Sequence, residues 1–177
     1  MGDVRLTTPR LVLRRMTMAD APTLHEAMSD PETMRYWSTL PHRSLAETEA
    51  WVAETMEAVA SGEADDFVVT RDGAVIGKAG LWRRGELGIL IARSHWRQGL
   101  AAEALGAVID RAFGAGMPRI EADVDPRNHA SLALLTHLGF RKSGEAKATF
   151  RLGEEWVDSV YLTLTPEPSS PAQFDGG

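Results

Sequence analysis

The most informative change of hydrophobic pattern falls between Leu87 and Ala115. An apolar run, Leu87-Gly88-Ile89-Leu90-Ile91, reads as a buried strand. After a polar stretch ending Trp96-Arg97-Gln98-Gly99, the residues Leu105, Val108, Ile109 and Ala112 recur at the spacing of one buried helix face. A strand, a glycine-containing loop and a helix in that order present backbone N–H groups without intrahelical partners. The helix dipole adds about half a positive charge at the same place. Such a terminus suits an anion, above all a phosphate, and Gly99 lets a ligand approach the chain closely. Read without a ligand, Gly99 only eases the turn. No Gly-Lys-Ser/Thr follows, which argues against a P-loop, and no GxGxxG with a downstream acid argues for a dinucleotide fold.

The remaining pattern sets the order of elements. Leu11–Arg14 is a first strand. Asp20 is expected to cap a helix to about Met28, with Leu24 and Met28 on one face, and Asp30-Pro31 ends it. Ser44 and Glu47 form a capping-box pattern for a helix to about Ala60, with Leu45, Val52, Met56 and Val59 inward. Phe67–Thr70 and Ala74–Gly77 flank Asp72-Gly73, a type I′ hairpin signal, and the second strand continues towards Trp82. Arg83-Arg84-Gly85 turns the chain into Glu86–Ile91. After the long helix, Ile120, Ala122 and Val124 alternate with acids as a strand. Joined to Glu86–Ile91 by a helix, it should lie parallel to that strand. Asn128 can cap a short helix over Ala130–Leu138, and Gly139 ends it. Phe150–Leu152 and Val157–Leu164 form a closing hairpin. Four helices and seven strands thus predict an α+β chain with a mixed, mostly antiparallel sheet. Residues 1–165 read as a single domain and 166–177, rich in Pro, Ser and Gly, as a flexible tail.

Composition narrows the chemistry. The 177 residues contain no cysteine, which excludes disulfides and a cysteine nucleophile, and no metal-ligand pair such as HExxH, so no metal is expected. The net charge of −6, without a basic stripe, argues against nucleic acid and weakly favours cationic substrates such as amines. No apolar run reaches membrane-span length and the N-terminus carries no hydrophobic signal region, so no membrane association and a cytoplasmic location are expected.

Three stretches resemble one family. Trp96-Arg97-Gln98-Gly99-Leu100-Ala101 is similar to the acetyl-CoA loop of the GCN5-related N-acetyltransferases (GNAT), with Trp96 departing at the first position. The continuation Ala102-Glu103-Ala104 resembles the RimJ/RimL-like branch. Leu6–Arg14 followed by Asp20-Ala21 resembles the opening of that branch. Asn128, Ser131 and Leu138-Gly139-Phe140 resemble its second block. The resemblance spans about residues 6 to 164. It implies a GNAT fold in which the two central parallel strands splay into a V. Acetyl-CoA would lie there as cosubstrate, its arm along Ile89, Leu90 and Ile91 and its pyrophosphate on Arg97, Gln98, Gly99, Leu100, Ala101 and Ala102.

It further implies direct acetyl transfer to a primary amine in a ternary complex. The amine would belong to a protein N-terminus or to a small molecule such as a polyamine, amino acid or amino sugar. A CoA-binding sensor without catalysis is the rival from another class. It is kept open because Leu135 occupies the position where many relatives place a tyrosine acid. Ser131 is the substitute acid; read plainly, it sits in a helix first turn. Asn128 can cap that helix and also touch the cofactor. Glu86 and Asp158 are candidate bases, with Glu155 and His95 as weaker ones. Tyr36, Trp37 and His42 fall where the family covers its acceptor pocket, where an aromatic face can hold a cation. Trp96 reads as a packing anchor. Monomer and homodimer both remain open.

Overall fold

The computed structural model describes residues 4–166. The expected tail therefore lies, but for Pro166, outside the described residues. Two short strands, β1 (Arg5–Thr7) and β2 (Val12–Arg14), lead into helices α1 (Ala21–Met28) and α2 (Leu45–Ser61). A meander of β3 (Asp65–Arg71), β4 (Ala74–Trp82) and β5 (Glu86–Ile91) follows. Then come α3 (Leu100–Gly114), β6 (Ile120–Val124), α4 (His129–His137) and the hairpin β7 (Arg141–Leu152) and β8 (Glu155–Leu164). The eight strands form one sheet in the order β1-β2-β3-β4-β5-β6-β8-β7, and β5–β6 is its parallel pair.

The expected count of seven strands is corrected to eight. The added strand, β1, has three residues and one half-buried apolar side chain, Leu6, too short for an alternation to register. The closing hairpin is also longer than Phe150–Leu152 suggested, because most of β7 is exposed and polar. The Asp72-Gly73 turn has positive φ at both residues, 51° and 83°, as a type I′ turn requires.

Helix α2 starts on Ser44, whose hydroxyl accepts the Glu47 amide at 3.3 Å, and ends at Gly62 with φ 80°. Its inward face is rotated from the expected one. Thr48, Val52, Thr55 and Ala58 are buried, while Leu45 is 38% exposed. The threonines can go inward because their hydroxyls are satisfied: Thr55 donates to the Trp51 carbonyl, and Thr48 bonds both His25 and His42. Asp20 also differs from expectation. It makes no capping bond to α1 and instead takes both guanidinium arms of Arg14 and the Thr17 amide.

The sheet separates two cores, and strand alternation decides which residue enters which. Phe67, Val69, Ala79 and Ile91 pack with α3 and α4 around Leu105, Val108 and Phe140. Val68 and Leu90 pack with α1 and α2 around Leu24, Met28 and Val52. Leu87 and Ile89 side with the α3 core, so Glu86, Gly88 and Leu90 face the α1–α2 side.

Candidate active site

On one side β5 is paired along its whole length to β4, from Trp82↔Glu86 to Gly77↔Ile91. β6 is paired likewise to β8, from Ile120↔Leu164 to Val124↔Val160. Towards each other the two strands share one pair, Glu86↔Glu121. They therefore meet at their N-terminal ends and part beyond, leaving a wedge-shaped opening. Among the described residues the facing edge of β5 from Leu87 to Ile91 has no strand partner. Ile89, Leu90 and Ile91, the residues expected to border a cofactor arm, line that edge.

The chain leaving β5 at the wide end is the glycine loop. Trp96 donates its indole N–H to the Ile91 carbonyl at 2.6 Å, which turns the chain sharply after the strand. Arg97 and Gly99 both take positive φ, 59° and 73°. That alternation curls successive amides into a concave row, with α3 beginning at Leu100. Three tethers hold the curl. Arg10 donates to the Gln98 carbonyl at 2.8 Å and to the Glu103 carboxylate at 2.6 Å. Thr8 also donates to Glu103, at 2.6 Å. Arg71 donates to the Gln98 side chain at 2.6 Å. The amides of Gly99, Leu100, Ala101 and Ala102 are thus presented on a braced scaffold with three arginines, Arg10, Arg71 and Arg97, around it.

The other wide-end element is α4. Asn128 caps it, its side-chain oxygen accepting the Ser131 amide at 3.1 Å. The Ser131 hydroxyl makes no hydrogen bond among the described residues, so it keeps both its proton and its lone pairs for a ligand. Upstream, buried Asp125 accepts from the Arg127 amide and guanidinium, and Arg127 also reaches Glu155 on the hairpin at 2.7 Å.

The candidate bases separate clearly. Glu86 stands where β5 and β6 meet, on the α1–α2 face. Glu86 as a whole is exposed, but partial loss of hydration at its carboxyl, reinforced by the charges of Asp123 and Glu121 on β6, holds that group above the ordinary range. A carboxylate of raised basicity beside two more negative groups attracts a cationic amine and can take its proton. Asp158 is held below the usual range by the Lys147 ammonium, with the Ala148 amide adding to it at 2.9 Å. Its oxygens are occupied, which makes it a poor proton acceptor. Glu155 is engaged by Arg127.

Of the residues expected to border the acceptor, Trp37 lies against Gly88 and the Lys78 ammonium, on the face that carries Glu86. Tyr36 is half-buried, with Arg35 over its ring at 5.3 Å. His42 instead pins the segment between α1 and α2: its ring bonds Thr48 at 2.8 Å and its amide bonds the Met28 carbonyl. The structure also brings in residues the sequence reading passed over: Arg10, Glu103, Asp123, Arg127 and the buried Lys78–Asp66 pair. Glu103 stood beside the loop motif and was the one most open to notice; the partners of the others are distant in sequence. Among the described residues no group of His, Asp and Glu is arranged to hold a metal ion, and no helix is long and apolar enough to cross a membrane.

This geometry has clear counterparts. The family model for the acetyltransferase (GNAT) domain matches residues 10–141. N-acetyltransferase p20 of Bacillus licheniformis is 34% identical over 168 residues, covering 90% of this chain and 94% of that protein. The ribosomal protein uS5-alanine N-acetyltransferase of Escherichia coli is 30% identical over 184 residues, covering 96% of this chain and 95% of its own. The solved structure of Mycobacterium smegmatis RimJ in complex with CoA-disulfide superposes with a TM-score of 0.81 at 25% identity, over 93% of this chain and 87% of that one. The domain match and these two curated relatives place the chain among the N-acetyltransferases of the GNAT family.

Proposed function

We propose that this protein transfers the acetyl group of acetyl-CoA to a primary α-amine by direct attack within a ternary complex. The observation that carries the reading is the opening between β5 and β6, which leads from Glu86 at its narrow end to the anion-binding loop at its wide end. The open β5 edge fits an extended, amide-bearing arm, and the braced amides from Arg97 to Ala102 fit a diphosphate. When bound, acetyl-CoA supplies the activated thioester. Everything else falls to the chain.

Glu86 takes the proton from the ammonium, directly or through water, and Asp123 and Glu121 keep it basic enough to do so. A peptide α-amine with a pKa of about 7.7–8 asks little of such a base, and a more basic amine asks more. The Ser131 hydroxyl, one helical turn into α4, is the donor for the departing thiolate. Trp37 borders the acceptor side and Tyr36 belongs to the same segment. RimJ of M. smegmatis, crystallised with CoA-disulfide, and the uS5-alanine enzyme of E. coli support the cofactor and the kind of amine.

The test pairs binding with turnover. Acetyl-CoA and CoA should raise the melting temperature, whereas ATP should not; stabilisation by ATP alone would end the proposal. Thiol release should follow addition of an amine. Tight acetyl-CoA binding without turnover of any peptide or small amine would favour a CoA sensor.

A further inference from the structure

Resting on that reading, the structure points to a feature that selects among amines. Lys78 on β4 and Asp66 on β3 form an ion pair at 2.6 Å, with side chains only 7% and 2% exposed. Burying two charges costs several kcal/mol per ion before their attraction is counted, and apolar residues of similar size would often serve stability as well or better. The surroundings are apolar: Met16, Val52, Val68 and Leu90 fill the same core. The pair is therefore out of place unless it does something there.

Its position says what. Asp66 has a partner on each oxygen, the Phe67 amide at 2.8 Å on one and Lys78 on the other. The Lys78 ammonium has three donors; Asp66 takes it as an ion pair, and the Trp37 ring centroid lies 5.5 Å from it. Gly88 on β5 lies beside it. A Cβ built on Gly88 would sit 3.7 Å from Lys78 Nζ and 3.9 Å from the Trp37 ring. With no side chain at Gly88, nothing from that position stands between the strand, the Trp37 ring and the ammonium. Gly88 shares a strand face with Glu86, two residues and about 7 Å away. Along this face an acidic corner of Glu86, Asp123 and Glu121, the last paired to Arg119 at 2.9 Å, is followed by a cationic one at Lys78. That order of charge matches a zwitterion whose ammonium meets Glu86 and whose carboxylate meets Lys78.

We propose that Lys78, held in place by Asp66, reads a carboxylate on the acceptor beside Gly88, so that the preferred acceptor is a free α-amino acid. The carboxylate accepts charge-assisted hydrogen bonds from the Lys78 ammonium. A polyamine brings a second cation to an ammonium. A peptide N-terminus brings an uncharged carbonyl.

The experiment compares, with the full chain and saturating acetyl-CoA, a panel of α-amino acids, the corresponding amino acid amides, an alanine-initiated peptide and spermidine. The amides carry a less basic, more readily deprotonated amine, so any preference for the acid runs against intrinsic reactivity. We expect kcat/KM for the best acid to exceed that of its amide at least 10-fold. Gly88→Ala puts a methyl group beside Lys78 and Trp37 at ordinary contact distances and should raise KM for the acid about 10-fold, with acetyl-CoA affinity unchanged. The double variant Lys78→Met/Asp66→Asn, which leaves no lone buried charge, should abolish the preference for acid over amide. Amide, peptide or spermidine turnover equal to or above that of the acid would overturn this inference and leave the acetyltransferase reading standing. The same holds for a preference that survives in the double variant. No turnover of any amine would overturn both. The wild-type comparison decides even if the double variant does not fold.

Discussion

At Glu86 the sheet crowds three carboxylates into one corner, and that crowding acts in opposite directions on folding and on chemistry. A carboxyl whose folded pKa lies above its unfolded value contributes stability below the unfolded pKa and loses it as pH rises through the folded one. At neutral pH and above Glu86 therefore works against the fold. Glu86→Gln should raise the melting temperature at pH 8, with the gain vanishing by pH 4, while lowering kcat/KM about 100-fold, the scale of a lost general base. Asp123→Asn removes one of the two repelling charges, so the acidic limb of the rate profile should move to lower pH. A limb that stays in place, or a Glu86→Gln enzyme of full activity, would take the base role from this residue. Ser131→Ala should lower turnover more than acetyl-CoA affinity, since the helix cap is supplied by Asn128 and survives the change. At this scale the sequence is a partial guide. Glu86 is a candidate by its place at the head of a strand. Lys78 and Asp66 are not, because a lysine in a strand and an acid beside Asp65 both read as solvent-facing until the strands are paired. Asp158 is a candidate alongside Glu86, and what separates them, Lys147 and the Ala148 amide on Asp158 and the neighbouring acids of β6 at Glu86, appears only once the strands are paired.

Among the elements, the loop entering α3 carries the most information per residue, and it was also the most legible. Its pattern change and its glycine are local, and local physics places amides at a helix start. The means of holding it are not local. Arg10 arrives from before β2 and Arg71 from the end of β3. Gly99→Glu puts a charged side chain in the left-handed region and at the anion site. It should abolish acetyl-CoA stabilisation in a thermal shift measurement, and unchanged binding would remove the loop from the site. Arg10→Ala leaves the loop sequence intact but cuts two of its braces, so acetyl-CoA affinity should fall about 10-fold by calorimetry. The elements misread from the sequence share one cause: their stability is borrowed. β1 exists through pairing with β2, β7 through pairing with β8, and the inward face of α2 includes Thr48, whose hydroxyl meets His25 only in the fold.

For the whole molecule, the splay of β5 from β6 was expected only through family resemblance, because a hydrophobic pattern does not say where two strands stop pairing. The same holds for the walls of the acceptor side. The tip of the β7–β8 hairpin meets the segment between α1 and α2, where a Cβ on Gly153 would lie 3.6 Å from Leu40. Arg127 fastens that hairpin to the start of α4, joining Glu155 to buried Asp125. The hydrogen bond from Arg127 is the largest influence holding Asp125 below the usual carboxylate range. That pairing therefore contributes stability above the unfolded carboxylate pKa and loses it as pH falls through the folded one. Arg127→Ala should cost about 1–2 kcal/mol at pH 7, the scale of a hydrogen bond to a charged group, and progressively less below pH 4. It also frees the hairpin, so KM for the amine should rise several-fold while acetyl-CoA affinity holds. Glu155→Gln separates the two effects: it loosens the hairpin and leaves Asp125 paired, so it should reproduce the rise in KM without the pH-dependent loss of stability. If amine KM stays at its wild-type value in both variants, the hairpin does not wall the acceptor site, and the acceptor is held by the sheet face and the segment carrying Trp37 alone.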